Sequence, residues 1–174
     1  MQFAAFLRAI NVGGRNIKMA ELRVLFEAEG CRDVRTLIAS GNVVFETDHA
    51  EGLEARIEAA VLKATGWNSD TFVRTRDELA SALAHGFDAG TRSEAATVSI
   101  GFLKSAPTPE AVKRLLVLAS EQDRFLLRGR EVHWWSAVKQ SDSKFTNVQM
   151  EKILGVRATL RGIPTAERVL ALMD

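Results

Sequence analysis

The sequence predicts an α+β protein made of two ferredoxin-like βαββαβ units in tandem, with an extra C-terminal helix. The hydrophobic period alternates between that of strands and that of helices along the chain. Glycine and asparagine occur where hairpins turn and helices end. The order of elements over residues 3–78 then recurs over 97–161, although the two halves share no convincing residue similarity. This order is that of the split βαβ arrangement.

The first unit opens with a strand and a helix. Residues 3–10 are apolar apart from Arg8, as expected of a mostly buried strand. Apolar residues at helical spacing over 19–26 predict a helix, and Gly30 follows where a left-handed residue ends one. The later elements are a strand over 34–39, a turn at Ser40-Gly41-Asn42, a strand over 43–47, a helix over 53–64 closed by Gly66, and a strand over 70–75.

Thr75 and Glu78 form a capping box that predicts a third helix, reaching about Ala84. The second unit repeats the pattern with a strand over 97–103, a helix capped by Thr108 with Pro109 in its first turn, a hairpin around Gly129, a helix from about Phe145 to Gly155, a strand over 156–161 and a last helix over 165–173. We expect the boundary within 86–95, giving domains 1–90 and 91–174.

Composition and charge limit the function classes. Of the 174 residues, 47% are hydrophobic, three are proline, and the formal net charge is +1, which argues against a dedicated double-stranded DNA binder. Cys31 is the only cysteine, so no internal disulfide forms, and a cytoplasmic protein is expected. No apolar stretch is long enough for a membrane span, and the N-terminus does not fit a signal peptide.

The loop after the first strand is the main candidate site. It contains adjacent glycines among cations, and consecutive amides before a helix N-terminus suit an anion. The predicted ligand-binding residues here are Arg8, Asn11, Gly13, Gly14, Arg15 and Lys18. The loop matches neither GxGxxG nor GxxxxGK[ST], and a tight turn with solvated cations explains the same residues. Both interpretations stay open.

The turn at Ser40-Gly41-Asn42 also offers amides. We expect it at the opposite end of the sheet from the first loop, so that the two cannot share a ligand.

A second polar cluster contains Lys144 and Asn147, three apart and expected on one helical face, and Arg161, which shares a strand face with Thr159. Lys144, Asn147 and Arg161 complete the predicted ligand-binding set. A solvated helix and strand end is the alternative.

Adjacent Trp134 and Trp135 must point to opposite sides of a strand, so one is core and the other is either covered or a stacking platform.

No catalytic or metal-binding motif is present: the histidines are scattered, one cysteine does not support a zinc site, and Cys31 lies at the wrong end of a helix for thiolate stabilisation. We predict no metal or cofactor, and whether the chain is an enzyme stays undecided.

The motifs resemble a bacterial family, domain of unknown function 1697. The resemblance rests on L-R-x-I-N-V-G-G at Leu7–Gly14, M-x-x-L at Met19–Leu22, S-G-N-V-V-F at Ser40–Phe45, and the closing segment 144–161. One departure is Gly162-Ile163-Pro164 where the family usually has an asparagine and a tryptophan. The resemblance implies an α+β protein without a known cofactor and assigns no activity.

These observations favour a binding module for a small anionic ligand, phosphorylated or nucleotide-like. One alternative is a single-stranded nucleic acid module that stacks bases on Phe3, Phe6 and Phe45, although the low net charge and the lack of glycine-aromatic spacing weaken it. Others are a protein-interaction or homo-oligomer module using Trp134 or Trp135, and an enzyme acting on a phosphorylated substrate. The fold alone does not choose among them.

Overall fold

A computed structural model describes all residues from Met1 to Asp174. It contains two four-stranded antiparallel sheets and seven α-helices, which confirms the predicted α+β class and the repeated order of elements. The chain divides into two compact units, one formed by Met1–Ala80 with Arg168–Asp174 and the other by Ser81–Glu167. The proposed domain boundary at residue 90 rests on element order alone and stays a prediction.

The first unit follows the predicted elements closely. They are β1 (Gln2–Leu7), α1 (Met19–Ala28), β2 (Arg32–Leu37), β3 (Asn42–Glu46), α2 (Leu53–Thr65), β4 (Thr71–Thr75) and α3 (Arg76–Ala84), of which α3 continues past Ala80. β1 ends before the predicted residue 10, because Ala9 adopts a φ of +56° and turns the chain away from the sheet. Gly30 and Gly66 have the left-handed conformations predicted for helix ends.

The second unit has the same arrangement. Its elements are α4 (Ala89–Ser93), β5 (Thr97–Leu103), α5 (Pro109–Leu116), β6 (Asp123–Arg128), β7 (Glu131–Ser136), a 3-10 turn (Gln140–Asp142), α6 (Asn147–Leu154), β8 (Ala158–Gly162) and α7 (Ile163–Ala171), of which α7 continues past Glu167. The pattern had not predicted α4 or the 3-10 turn, since both are too short to show a hydrophobic period. The prediction of a helix from about Phe145 was early by two residues, because Thr146 is the N-cap of α6.

The two sheets have equivalent strand orders, β2-β3-β1-β4 and β6-β7-β5-β8. Corresponding hydrogen bonds tie the end of each first strand to its neighbours. Leu7 N–H donates to Gly41 C=O at 2.8 Å, and Leu103 N–H donates to Arg130 C=O at 2.9 Å. The next residue of each unit then donates to the segment before its last strand, Arg8 to Asp70 and Lys104 to Arg157. The repeat therefore extends to individual backbone contacts.

Aromatic side chains form the core of the first unit. Phe3 and Phe45 stack at 5.8 Å between ring centroids, and Phe26 from α1 meets Phe45 edge-on at 5.2 Å. Phe3, Phe6 and Phe45 are all buried. The alternative prediction that they are exposed to stack nucleic acid bases is therefore wrong, because side chains of the fold already cover them.

Both tryptophans of β7 are buried, on opposite faces of their strand. Trp134 packs edge-on against Phe145 and donates its indole N–H to Asp123 at 2.7 Å. Trp135 donates to the Thr91 carbonyl at 2.8 Å and lies under the Arg124 guanidinium. Neither ring is exposed as a stacking platform or an interface residue, because both side chains are buried within the second unit. The unpredicted α4 contributes the hydrogen-bond partner of Trp135.

None of the helices combines the length and apolar character that a membrane span requires.

His133 is the one buried histidine of the chain. Its Nε2 lies 3.0 Å from the Ala82 carbonyl, its Nδ1 has no partner, and its ring packs so closely on Gly86 that a Cβ there would lie 2.7 Å from it. Burial lowers the pKa of His133, and the Ala82 carbonyl and Glu131 oppose this shift. The folded unit therefore favours the neutral ring.

We predict that His133 contributes to loss of stability in acid. A histidine whose pKa is lowered by folding stabilises the protein above its unfolded-state pKa, near 6.5, and loses that contribution as the pH falls through the folded value. The free energy of unfolding should fall between pH 7 and pH 5 by up to about 1.4 kcal/mol per pH unit more in the native protein than in His133→Gln. Glutamine keeps a donor for Ala82 without titrating.

Urea titrations at several pH values measure this difference. His49→Gln, at an exposed position, is the control and should retain the acid sensitivity of the native protein. Equal acid sensitivity in His133→Gln and in the native protein would contradict the assignment.

Candidate anion-binding loop at one edge of the first sheet

Three loops of the first unit meet at one edge of its sheet, which we name the loop edge: residues 8–18, 38–41 and 66–70. The Leu7–Gly41 hydrogen bond and a 2.7 Å bond from Asn11 Nδ2 to the Ala39 carbonyl join the first two loops. The prediction that the two glycine turns lie at opposite ends was therefore wrong. β1 and β2 are both antiparallel to β3, which lies between them, so their carboxyl ends reach the same edge.

Asn11 holds the loop edge together with both ends of its side-chain amide. Its Nδ2 donates to Ala39, and its Oδ1 accepts the Ile17 N–H at 2.9 Å. Its φ of +55° lies in the left-handed region, which asparagine tolerates better than most residues. Asn11 is thus the structural link between the β1–α1 loop and the β2–β3 turn.

The glycine pair forms a tight turn. Gly13 and Gly14 have φ values of +58° and +80°, and Arg15 N–H closes the turn on the Val12 carbonyl at 3.1 Å. Positive φ at both central residues is typical of a type I′ turn and explains why both are glycine. The amides of Gly13 and Gly14 donate no hydrogen bond within the protein, and both residues are exposed. The turn and the anion interpretations are therefore compatible.

Arg15 is held in place beside this turn. Its guanidinium donates to the Asn68 carbonyl at 3.2 Å and lies 5.8 Å from the centroid of the Trp67 ring. A cation over an indole face gains about 0.5–1 kcal/mol at an exposed site. Sequence reasoning had missed Trp67 and Asn68. The available signal was a tryptophan directly after the glycine that ends α2.

Lys18 precedes the first turn of α1, where the N–H groups of a helix lack intrahelical partners. Its own N–H donates to the Glu21 carboxylate at 3.1 Å, while the lysine side chain is exposed. Arg8, Arg15 and Lys18 are the only charged residues of segment 8–18. The loop is therefore locally cationic, with Glu21 as the nearest acid along the chain.

Arg8 has a partner of its own. Its guanidinium lies 3.8 Å from the Asp70 carboxylate, and its carbonyl accepts a hydrogen bond from Ser69 at 2.7 Å. These contacts fasten the start of the loop to the segment before β4. Arg8 and Asn11 thus shape the loop, whereas Gly13, Gly14, Arg15 and Lys18 form its exposed part.

Backbone strain concentrates at the loop edge. Ala9 and Ile38 have φ values of +56° and +49°, and positive φ is especially unfavourable for a β-branched residue such as Ile38. Gly41, at +76°, approaches so closely that an added Cβ would lie 2.9–3.1 Å from side-chain atoms of Ile10 and Leu7. Such strain persists only where surrounding contacts over-determine the conformation.

The second predicted cluster lies in the second unit. Lys144 is exposed and precedes α6. The prediction that it shares a helical face with Asn147 is therefore wrong. Asn147 Nδ2 donates to the Ala158 carbonyl at 3.3 Å, while its Oδ1 is buried without a partner. Arg161 donates to Thr159 Oγ1 at 2.9 Å, so these two residues do share a strand face. Burial lowers the pKa of Arg161 to about 10.

The remaining chemistry is sparse. Cys31 is buried, and burial raises the pKa of its thiol to about 11, so the thiol stays protonated and unreactive at neutral pH. No group of three or more histidine, cysteine, aspartate or glutamate side chains is placed to hold a metal ion.

The family model described as "Protein of unknown function (DUF1697)" matches residues 1–133, and the chain belongs to this family. A solved structure, that of the conserved bacterial protein SP0830 from Streptococcus pneumoniae, is similar with a TM-score of 0.77 and 20% identity. The similarity covers 99% of this chain and 98% of that one and shows a common fold. No curated protein matches the chain.

We predict that the close approach at Gly41 makes it far less replaceable than other glycines of positive φ. Gly41→Ala combines an unfavourable conformation with overpacking against Leu7 and Ile10, and should lower the free energy of unfolding by about 3 kcal/mol. The matched control is Gly30→Ala. Gly30 has a similar φ of +82° with open space around an added Cβ, so the cost should be about 1 kcal/mol.

Urea unfolding of both variants gives the comparison. Equal losses would show that the contact between the two loops is loose enough to admit a methyl group.

Proposed function

We propose that this DUF1697 protein binds a small anionic ligand, phosphorylated or nucleotide-like, at the turn formed by Gly13 and Gly14. The observation that carries the proposal is the pair of exposed amides without partners, flanked by Arg15 and Lys18. Consecutive backbone N–H groups at a glycine turn bind phosphate or carboxylate oxygens well, and a nearby guanidinium adds charge-assisted hydrogen bonds.

Preorganisation supports the proposal. The contacts of Arg15 with Trp67 and Asn68 hold its guanidinium beside the turn, so less side-chain entropy is lost when it binds an anion. Lys18 adds a flexible charge next to the N-terminus of α1, where the helix dipole also favours anions. Glu21 neutralises part of this field, which suits a weak, exchangeable ligand.

The other predicted residues have supporting roles in this proposal. Arg8 and Asn11 fix the loop through Asp70 and Ala39. Arg8 also contributes positive charge at longer range, and Asn11 contributes to the shape of the loop. Lys144, Asn147 and Arg161 form a separate proposed contact set in the second unit, where the buried Asn147 Oδ1 is the feature that favours a polar ligand. No pair of side chains placed as a general acid and a general base favours an enzyme activity on a phosphorylated substrate.

Binding of inorganic phosphate, nucleotides and sugar phosphates should raise the melting temperature of the native protein. Dissociation constants between millimolar and micromolar correspond to about 4–8 kcal/mol of binding free energy. Arg15→Gln should weaken binding of the active anion about tenfold, because a charge-assisted hydrogen bond is lost. Isothermal titration calorimetry measures the affinity directly.

Arg23→Gln is the matched control, since it removes the same charge from an exposed position on α1 outside the loop. It should bind within about twofold of the native protein. If no anion raises the melting temperature, or if Arg15→Gln and Arg23→Gln lower the affinity equally, binding at the turn is contradicted.

A further inference from the structure

A groove of about 790 Å³ runs between α1 and α2 in the first unit, and we name it the α1–α2 groove. Ligand pockets for small molecules typically measure about 300–1,000 Å³. One stripe of each helix lines the groove, with Val24 and Ala28 on α1 and Ala60 and Ala64 on α2. The small side chains on α2 leave space between the helices that larger ones would occupy.

The α1–α2 groove adjoins the proposed anion site at Trp67. Asn16 and Ile17, which directly follow Arg15, line it, and so does Trp67, the residue over which Arg15 lies. Trp67 is only partly buried and packs on the core of the first unit. The same indole therefore orients the cation and forms part of the groove wall.

Charge is unevenly placed around this groove. Lys63 lies on the α2 side, whereas Glu21 and Glu29 lie along the α1 side, with Glu29 beyond the last turn of that helix. Arg15 adds positive charge next to the Trp67 end. The apolar floor thus has the Arg15 guanidinium beside its Trp67 end, an arrangement complementary to a molecule with an anionic head and an apolar body.

We infer that the ligand of the turn is an aryl-type anion, with its phosphate or carboxylate at the Gly13-Gly14 turn and a planar apolar body against Trp67 in the α1–α2 groove. This inference rests on the proposed function and adds the chemical class of the rest of the ligand. A planar ring suits the site because Trp67 is partly exposed where it lines the groove, and aromatic pairs gain from stacked or edge-on contacts.

The test compares 1-naphthyl phosphate, inorganic phosphate and 1-naphthol by calorimetry. We expect 1-naphthyl phosphate to bind at least tenfold more tightly than either inorganic phosphate or 1-naphthol. Ala64→Leu fills the groove from an exposed helix position, where leucine is nearly as good a helix former as alanine. In this variant 1-naphthyl phosphate should no longer bind tenfold more tightly than inorganic phosphate, while the affinity for inorganic phosphate should stay at the native value.

Ala59→Leu is the matched control, an exposed alanine on α2 outside the groove, and should keep the advantage. Thermal melts establish that both leucine variants fold. An advantage that survives in Ala64→Leu, or that is lost equally in Ala59→Leu, overturns the inference.

The failures of the two proposals are distinguishable. If inorganic phosphate binds in an Arg15-dependent manner but 1-naphthyl phosphate binds no more tightly, the proposed function stands and the inference is overturned. If 1-naphthol binds as tightly as the phosphate ester and Arg15→Gln changes neither, the anion site fails and the inference fails with it. Absence of binding by all three probes overturns both.

Discussion

The constraint on which the site depends is the parallel course of β1 and β2 with β3 between them. This arrangement brings the carboxyl ends of both strands to one edge, where each enters an irregular loop. The Leu7–Gly41 hydrogen bond and the two bonds of the Asn11 amide lock these loops together. Through Asn11 this attachment also fixes Ile17, which lies just before the start of α1. Loops fixed by a rigid sheet are a common place for binding residues.

The two units have the same topology but form it with different residues. Equivalent backbone hydrogen bonds end the first strand in both, yet Gly41 accepts in one and Arg130 in the other. In the first unit the side-chain amide of Asn11 and the glycine pair add further order after that strand. In the second, a proline-led helix follows after Thr108. Shared topology with different loop chemistry explains why the repeat is visible in the order of elements and absent from the residues.

Local patterns predicted most of the fold, because the signals that end elements are local. Gly30, Gly66 and Gly155 all adopt left-handed conformations where the helices end, and Thr75 and Glu78 form both bonds of a capping box. The candidate site was harder to predict. Its contacts join residues far apart in sequence, such as Arg15 with Trp67, and depend on which edge each loop reaches. The layout expected for a ferredoxin-like unit placed Gly41 at the wrong end of the sheet. The short α4, which accepts the hydrogen bond of Trp135, has no periodic signal.

The burial of Cys31 has a practical consequence for studying the molecule. Burial covers the Cys31 thiol and raises its pKa to about 11, so we expect alkylating reagents to react with it slowly. The native chain should therefore give little maleimide labelling without any substitution. A cysteine introduced at an exposed position, such as that of Lys63 beside the groove, becomes a single attachment point for a spin label or fluorophore.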